Sequence, residues 1–311
     1  MNIVLLDAKT LGDDLDLSVL ETLGSFTSYK VTAKEQTEFR VSTANVVITN
    51  KVVISREIMQ KTPSLKLVCI AATGMNNVDL EAAKEFGIEV KNVSGYSTTS
   101  VVQHTFTMAL HLIGKMRHYA SVGTSGAWSN SQLFTDVSQP IFEISSKKWG
   151  IIGLGEIGRE VAKIATAFGA DVSYYSTSQN NLNQEYPHLE LEELLKSSDI
   201  ISIHAPLNEQ TNNLINKSNL ELLKDKAILL NLGRGGIVNE EDLAKVIDKK
   251  EMYVGLDVVS TEPIPLDNPL MKILHHERLL ITPHIAWASV EARAKLLAGV
   301  VKNIEDFSKN I

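Results

Sequence analysis

The chain has 311 residues, enough for two domains of ordinary size, each burying its own core. Its composition, 44% hydrophobic and 22% charged, is that of a globular protein, and a net charge of -7 gives no electrostatic reason to bind nucleic acid or an anionic membrane. The single cysteine, Cys69, excludes an internal disulfide and a cysteine metal site, and it points to a reducing cytoplasmic location.

The first residues, Met1 to Asp7, carry no basic region and only a short apolar run, so they read as a first strand and not as a secretory leader. No segment approaches membrane-spanning length. Strand-like runs then alternate with helix-like stretches, at Ile3 to Leu6, Val46 to Thr49, Leu65 to Ala71 and Ile88 to Asn92, which is a parallel α/β pattern. Thr98 to Tyr119 reads as one helix, apolar around most of its circumference apart from its histidines. Such a helix must be buried on several sides, as a bridge between domains, a subunit contact, or the cover of a second sheet.

That second sheet is expected from a new series of strands: Trp149 to Ile152, Asp171 to Tyr175, Ile200 to His204, Ala227 to Asn231, Tyr253 to Val258 and Leu279 to Ile281. The fold class is therefore α/β, with two doubly wound parallel sheets of Rossmann or flavodoxin type. Ala288 to Phe307 is helical but comes too late to build a domain of its own, so it is expected to return to the first one.

After the strand at Trp149 comes Gly153-Leu154-Gly155-Glu156-Ile157-Gly158, followed by a helical pattern. It fits the dinucleotide fingerprint: one glycine for the tight turn, one to let backbone N–H groups reach a pyrophosphate, one for close helix–strand packing. An NAD-selective site usually places an acid about 20 residues beyond the glycines. Ser176 stands there instead, and Asp171 lies at the wrong end of its strand. Hydroxyls of Ser176, Thr177 and Ser178 offer bonds to a 2′-phosphate, but no cation follows in Gln179-Asn180-Asn181, so NAD(H) and NADP(H) both stay open.

In open α/β sheets, ligands lie beyond the strand ends. Arg234, in Asn231-Leu232-Gly233-Arg234-Gly235-Gly236, has small neighbours that leave its guanidinium room to meet a carboxylate and an adjacent carbonyl oxygen; alternatively it caps a helix. His284, in Thr282-Pro283-His284-Ile285, suits proton exchange with an alcohol or carbonyl, or is a satisfied structural histidine. Glu262, before Pro263, holds a nearby imidazolium or is a solvated loop residue. After successive strands, the three together form an anion clamp with a proton-transfer pair.

In their order and spacing, Gly153 to Gly158, Asn231 to Gly236, Asp257 to Pro263 and Thr282 to Ile285 resemble the D-isomer-specific 2-hydroxyacid dehydrogenases, and the resemblance covers nearly the whole chain. It implies Arg234, Glu262 and His284 as the catalytic set. It also implies a cofactor domain, 98–284, inserted in a substrate domain made of 1–97 and 285–311. Cofactor contacts are implied for Val102, Gly153, Leu154, Gly155, Glu156, Ile157, Gly158, Ser176, His204, Ala205, Pro206, Thr211, Asn231, Leu232, Gly233, Asp257 and His284, with Asp257 at the nicotinamide amide unless it caps a turn. For substrate, Arg234 and His284 are joined by backbone N–H groups of Ala72, Thr73 and Gly74, otherwise an ordinary glycine turn.

Ser100 to Thr105, Pro283 to Ala288 and Phe134 to Glu143 further resemble members acting on hydroxypyruvate or glyoxylate, which implies reduction of a small 2-oxoacid to its D-2-hydroxyacid with NAD(P)H, and the reverse. No metal is implied. A homodimer is, through 98–119 and the loop holding Trp128, while Trp128 and Trp287 are left without an assigned role. The alternative is a corepressor-like scaffold that senses NAD(H) without significant turnover. The fold resembles those proteins too, but this chain shows no long disordered tail for recruiting partners.

Overall fold

A computed structural model describes residues 1–180, 182 and 185–309, so Asn181, part of the stretch without a cation, lies outside the described residues. The chain divides into two units, Met1–Ser97 with the residues from Trp287 onward, and Thr98–Ala286.

The first unit begins with β1 (Asn2–Leu5), β2 (Ser25–Ser28), α1 (Lys34–Val41), β3 (Val46–Thr49), α2 (Arg56–Lys61), β4 (Leu67–Ile70), α3 (Leu80–Glu85) and β5 (Glu89–Lys91). Its strands pair in the order β2-β1-β3-β4-β5, all parallel. β3 and β4 read Val-Val-Ile-Thr and Leu-Val-Cys-Ile and are buried throughout, as parallel strands covered on both faces must be. The sequence pattern did not indicate β2: Ser-Phe-Thr-Ser is a largely exposed edge held by its ladder to β1. Cys69 is fully buried on β4, and burial pushes its thiol up to about 12.

The second unit opens with α4 (Thr98–Ile113) and α5 (Met116–Thr124) in place of the single expected helix. The break falls at Gly114-Lys115, where Lys115 takes a left-handed φ of 52°. Its ammonium sits 3.0 Å from the centroid of the Tyr253 ring, and burial pulls it down to about 8. Then follow β6 (Lys148–Ile152), α6 (Glu156–Ala167), β7 (Asp171–Tyr175), α7 (Leu191–Ser197), β8 (Ile200–Ile203), α8 (Lys217–Leu220), β9 (Ile228–Asn231), α9 (Glu240–Ile247), β10 (Tyr253–Leu256) and β11 (Leu279–Ile281). The sheet order is β11-β10-β9-β8-β6-β7, all parallel. Chain direction across the sheet therefore reverses at β6, the switch point where such sheets leave a crevice.

Of the roles open to α4, its packing within this unit is that of a cover over β9, β10 and α6. Val101, Val102, Phe106, Met108, Ala109, Leu112 and Ile113 are buried there with Trp149 and Leu230. Each large apolar side chain so buried contributes roughly 1.5–3 kcal/mol, which outweighs any deficit in helix propensity.

The last helix, α10 (Val290–Ser308), packs in the first unit. It buries Ala292, Leu296, Leu297, Val300 and Ile304 beside Leu5, Ile48 and Leu67. Ser289 caps it by accepting from Ala292 N at 3.2 Å. Arg293 forks onto Asp14 at 2.5 and 2.8 Å and draws that carboxyl down to about 2. Ile285 and Ala286, the last residues of the second unit, both donate backbone N–H groups to Asp257.

Candidate active site

β6 ends at Ile152, and the chain turns through Gly153 at a left-handed φ of 92°. A Cβ on Gly158 would stand 2.3 Å from Gly153 O, so only glycine lets α6 pack this close to its strand. Gly155 is the N-cap, and a Cβ there would meet no protein atom within 4 Å. The opening thus lies at the N-terminus of α6, which carries roughly half a positive charge and unpaired N–H groups. Its shape and sign fit a pyrophosphate. Glu156 is the first helical residue, and its carboxylate accepts from Thr98 Oγ1 at 2.7 Å. Leu154 and Val102 are buried in the core, with Ile157 packed against it, so their side chains support the cradle from behind.

The other strand ends of this sheet follow in order. Ser176, just past β7, is buried, and its carbonyl accepts from Gln179 N and Nε2, which leaves Thr177 and Ser178 as the more accessible hydroxyls. His204 extends β8 by donating N–H to Ile152 O at 2.8 Å. Burial pulls its imidazole down to about 3, and neither ring nitrogen has a hydrogen-bond partner among the described residues. Thr211 Oγ1 donates to Pro206 O at 2.6 Å and accepts from Asn208 N at 2.8 Å, so it braces the turn that follows Ala205.

Asn231 braces the next loop in the same way: Oδ1 accepts from Gly233 N at 3.1 Å and Nδ2 donates to Arg234 O at 2.9 Å, with Leu232 turned into the core. Arg234 is exposed. Its Nη1 donates to Gly233 O at 2.8 Å, and no carboxylate among the described residues pairs with it, so most of the guanidinium fork is available to an anion. A Cβ on Gly235 would fall 2.0 Å from Val259 O, which shows how closely this loop meets the one carrying Glu262.

Glu262 and His284 are joined directly, Oε2 to Nδ1, at 2.7 Å, with side chains 33% and 26% exposed. Glu262 Oε1 also accepts from Val259 N at 3.3 Å. With Nδ1 committed to the carboxylate, Nε2 is the nitrogen left to exchange a proton with a ligand. His284 has a left-handed φ of 54°. Asp257 lies beneath this turn, almost fully buried: Oδ1 accepts from Thr282 Oγ1 at 2.6 Å and Ile285 N at 2.9 Å, and Oδ2 from Ala286 N at 2.9 Å. Of its two sequence readings, turn-capping is the role its hydrogen bonds perform.

Thr282 and, facing it from α4, His104 lie in the motifs Thr282 to Ile285 and Ser100 to Thr105, but the sequence pattern assigned neither of them a role in this arrangement. In the first unit, the loop of Ala72, Thr73 and Gly74 follows β4, and Asn92 Nδ2 donates to Thr73 O at 2.6 Å. Trp287 packs edge-on against Tyr96, 6.2 Å between centroids. Trp128, in the second unit, is half exposed and donates to Phe134 O at 3.2 Å.

Residues 106–286 match the family model described as D-isomer specific 2-hydroxyacid dehydrogenase, NAD binding domain. The chain is 40% identical over 316 residues to a hydroxypyruvate reductase of Blautia hydrogenotrophica, covering 99% of this chain and 97% of that one. Among solved structures it is similar to an acyclic imino acid reductase in complex with NADPH and D-Arg, at 28% identity and TM-score 0.86, covering 100% and 98% of the two chains. It is also similar to the D-lactate dehydrogenase of Aquifex aeolicus complexed with NAD and lactic acid, at 26% identity and TM-score 0.83, covering 100% and 96%.

Proposed function

The chain belongs to the D-isomer specific 2-hydroxyacid dehydrogenase family, NAD(P)-dependent oxidoreductases of the CH–OH group, and on that footing we propose that it reduces hydroxypyruvate or glyoxylate to the D-2-hydroxyacid, and runs the reverse. One observation carries the proposal: a guanidinium with no carboxylate partner among the described residues and a carboxylate–imidazole pair at 2.7 Å end successive strands of a sheet whose switch point holds a glycine cradle. Residues 98–284 are read as the cofactor domain and 1–97 with 285–311 as the substrate domain.

Arg234 takes the substrate carboxylate and the C2 oxygen on its fork, polarising the carbonyl. The backbone N–H groups of Ala72, Thr73 and Gly74 are proposed as further carboxylate donors. His284, held at Nδ1 by Glu262, gives its Nε2 proton to the C2 oxygen in reduction and takes it back in oxidation. When bound, the reduced nicotinamide supplies the hydride that C2 receives. The cradle of Gly153 to Gly158 and the strand ends at Ser176, His204 to Pro206 and Asn231 to Gly233 are assigned to holding that dinucleotide, while Asp257 caps the turn that presents His284. Val102 and Thr211 support it by packing and bracing.

With no acid at Ser176 to repel a 2′-phosphate and no cation seen beside it to capture one, NADH and NADPH are expected to give kcat/KM values within about tenfold of each other on hydroxypyruvate. Steady-state assays with both coenzymes test the function and this expectation together. A ratio above about a hundred would refute the balanced-cofactor reading. Failure to reduce either 2-oxoacid with either coenzyme would refute the enzyme reading in favour of the NAD(H)-sensing scaffold.

We further propose a homodimer in a reducing cytoplasm. Met116, Trp128, Phe134, Val137 and Ile141 are exposed along one continuous segment, and α5 has no buried residue, an apolar surface of the kind a second copy covers. Light scattering is expected to give twice the chain mass for the wild type and a monomer for F134D/V137D. A monomeric wild type would contradict the proposal. No helix among the described residues is long and apolar enough to cross a membrane.

A further inference from the structure

We propose that Ser100 and His104 of α4 are positioning residues for His284, clamping the turn that presents it; the inference rests on the reading of His284 as proton donor. The two lie four residues apart, on one face of the helix. Ser100 Oγ donates to Ala286 O at 2.6 Å, on one side of His284. His104 Nε2 meets Thr282 Oγ1 at 3.0 Å, on the other side.

Proton bookkeeping gives the second contact its direction. Thr282 has one hydroxyl hydrogen, and it goes to Asp257 Oδ1 at 2.6 Å. Its oxygen can therefore only accept from His104, so Nε2 carries a proton. The result is a chain of donors, His104 to Thr282 to Asp257, ending on a buried carboxylate that also accepts from Ile285 and Ala286 N. Burial lowers the His104 pKa while the Asp257 carboxylate, 3.7 Å from Nε2, opposes it, and the Nε2 donor is present in either form of the ring.

The turn needs such support. His284 adopts a left-handed backbone, which is unfavourable for a side-chain-bearing residue and persists only where its surroundings over-determine it. The N–H of His284 donates to Asp257 O at 2.9 Å, so the main chain and carboxylate of Asp257 together satisfy three consecutive amides. Asp257 alone would fix the inner side of the turn. α4, seated on β9 and β10 by its apolar face, fixes the outer side at both ends and explains why a serine and a histidine interrupt that helix. A displacement of about 1 Å in a proton donor can lower turnover on the order of a hundredfold, so the clamp is worth its polar atoms.

The variants are S100A, H104L, H104Q, T282V and H104L/T282V, assayed with hydroxypyruvate and NADH, with amide exchange of His284, Ile285 and Ala286 followed by mass spectrometry. H104L is expected to lower kcat about tenfold while KM changes less than about threefold, S100A to lower kcat about threefold, and H104Q, which keeps an N–H donor within reach of Thr282, to recover most of the loss. H104L/T282V should be no slower than T282V, because both break one chain. Exchange at 284–286 should quicken about tenfold in H104L and return toward wild type in H104Q. Wild-type kcat in H104L, equal losses in H104L and H104Q, or additive losses in the double variant would each overturn the clamp. If H104L does not fold, S100A and H104Q carry the same comparison. If the wild type reduces no 2-oxoacid, the functional reading fails by itself, and exchange at 284–286 still decides whether α4 holds this turn.

Discussion

Replacing Arg234 by alanine is expected to lower kcat/KM for hydroxypyruvate by about 10³-fold, the largest binding effect of any single substitution in this site. Each hydrogen bond from a guanidinium to a charged or developing anion is worth about 1.5–3 kcal/mol, and the fork makes two. About 4 kcal/mol then corresponds to roughly three orders of magnitude. The loss should appear in KM and kcat together, because the fork holds the carboxylate in the ground state and the C2 oxygen as charge gathers on it. R234K should restore only a small part, since an ammonium is a point charge and cannot span both oxygens. Stability should hardly change: Arg234 is exposed, and among the described residues its side chain bonds only to the carbonyl of its own neighbour. Dinucleotide binding, read by quenching of protein fluorescence, should also persist in R234A. A loss below tenfold would mean that another cation binds the carboxylate.

Arg234 stands out in the sequence because of how this fold is written there. Buried parallel strands read as unbroken apolar runs, as in Val46 to Thr49 and Ile228 to Leu230, and the residues just past such runs are where ligands collect. Gly153, Gly155 and Gly158 were legible because each sits where backbone sterics favour glycine: a left-handed turn, a position with open space around it, and contact with Gly153 O. What stayed hidden was either polar or non-local. Ser25 to Ser28 pairs by its backbone alone and leaves no apolar alternation to detect. The break at Lys115 depends on a left-handed lysine, which no propensity anticipates. His104, Thr282 and Asp257 are brought together only because α4 crosses over strands that occur more than a hundred residues later. Periodicity could show that α4 is buried, but not which of its polar residues finds a partner.

His284→Gln should lower kcat for hydroxypyruvate by about 10³-fold, within the range of 10²–10⁴ that a positioned general acid supplies. Glutamine can fill much of the imidazole volume and still donate an N–H bond to the C2 oxygen, but it has no proton to transfer. The defect should therefore fall on kcat, with KM nearly unchanged because Arg234 still binds the carboxylate. Glu262→Gln tests the other half of the pair. The amide oxygen can still accept from Nδ1 at the 2.7 Å position, so orientation survives while the negative charge beside the ring is lost; a smaller decrease, roughly 10–100-fold, is expected. If the two residues act as one proton-transfer unit, H284Q/E262Q should be no slower than H284Q, since a carboxylate with no imidazole to charge has nothing left to contribute. Multiplying losses in the double variant would instead assign Glu262 an independent role, and turnover of H284Q within tenfold of wild type would remove the proton from Nε2 of His284 altogether.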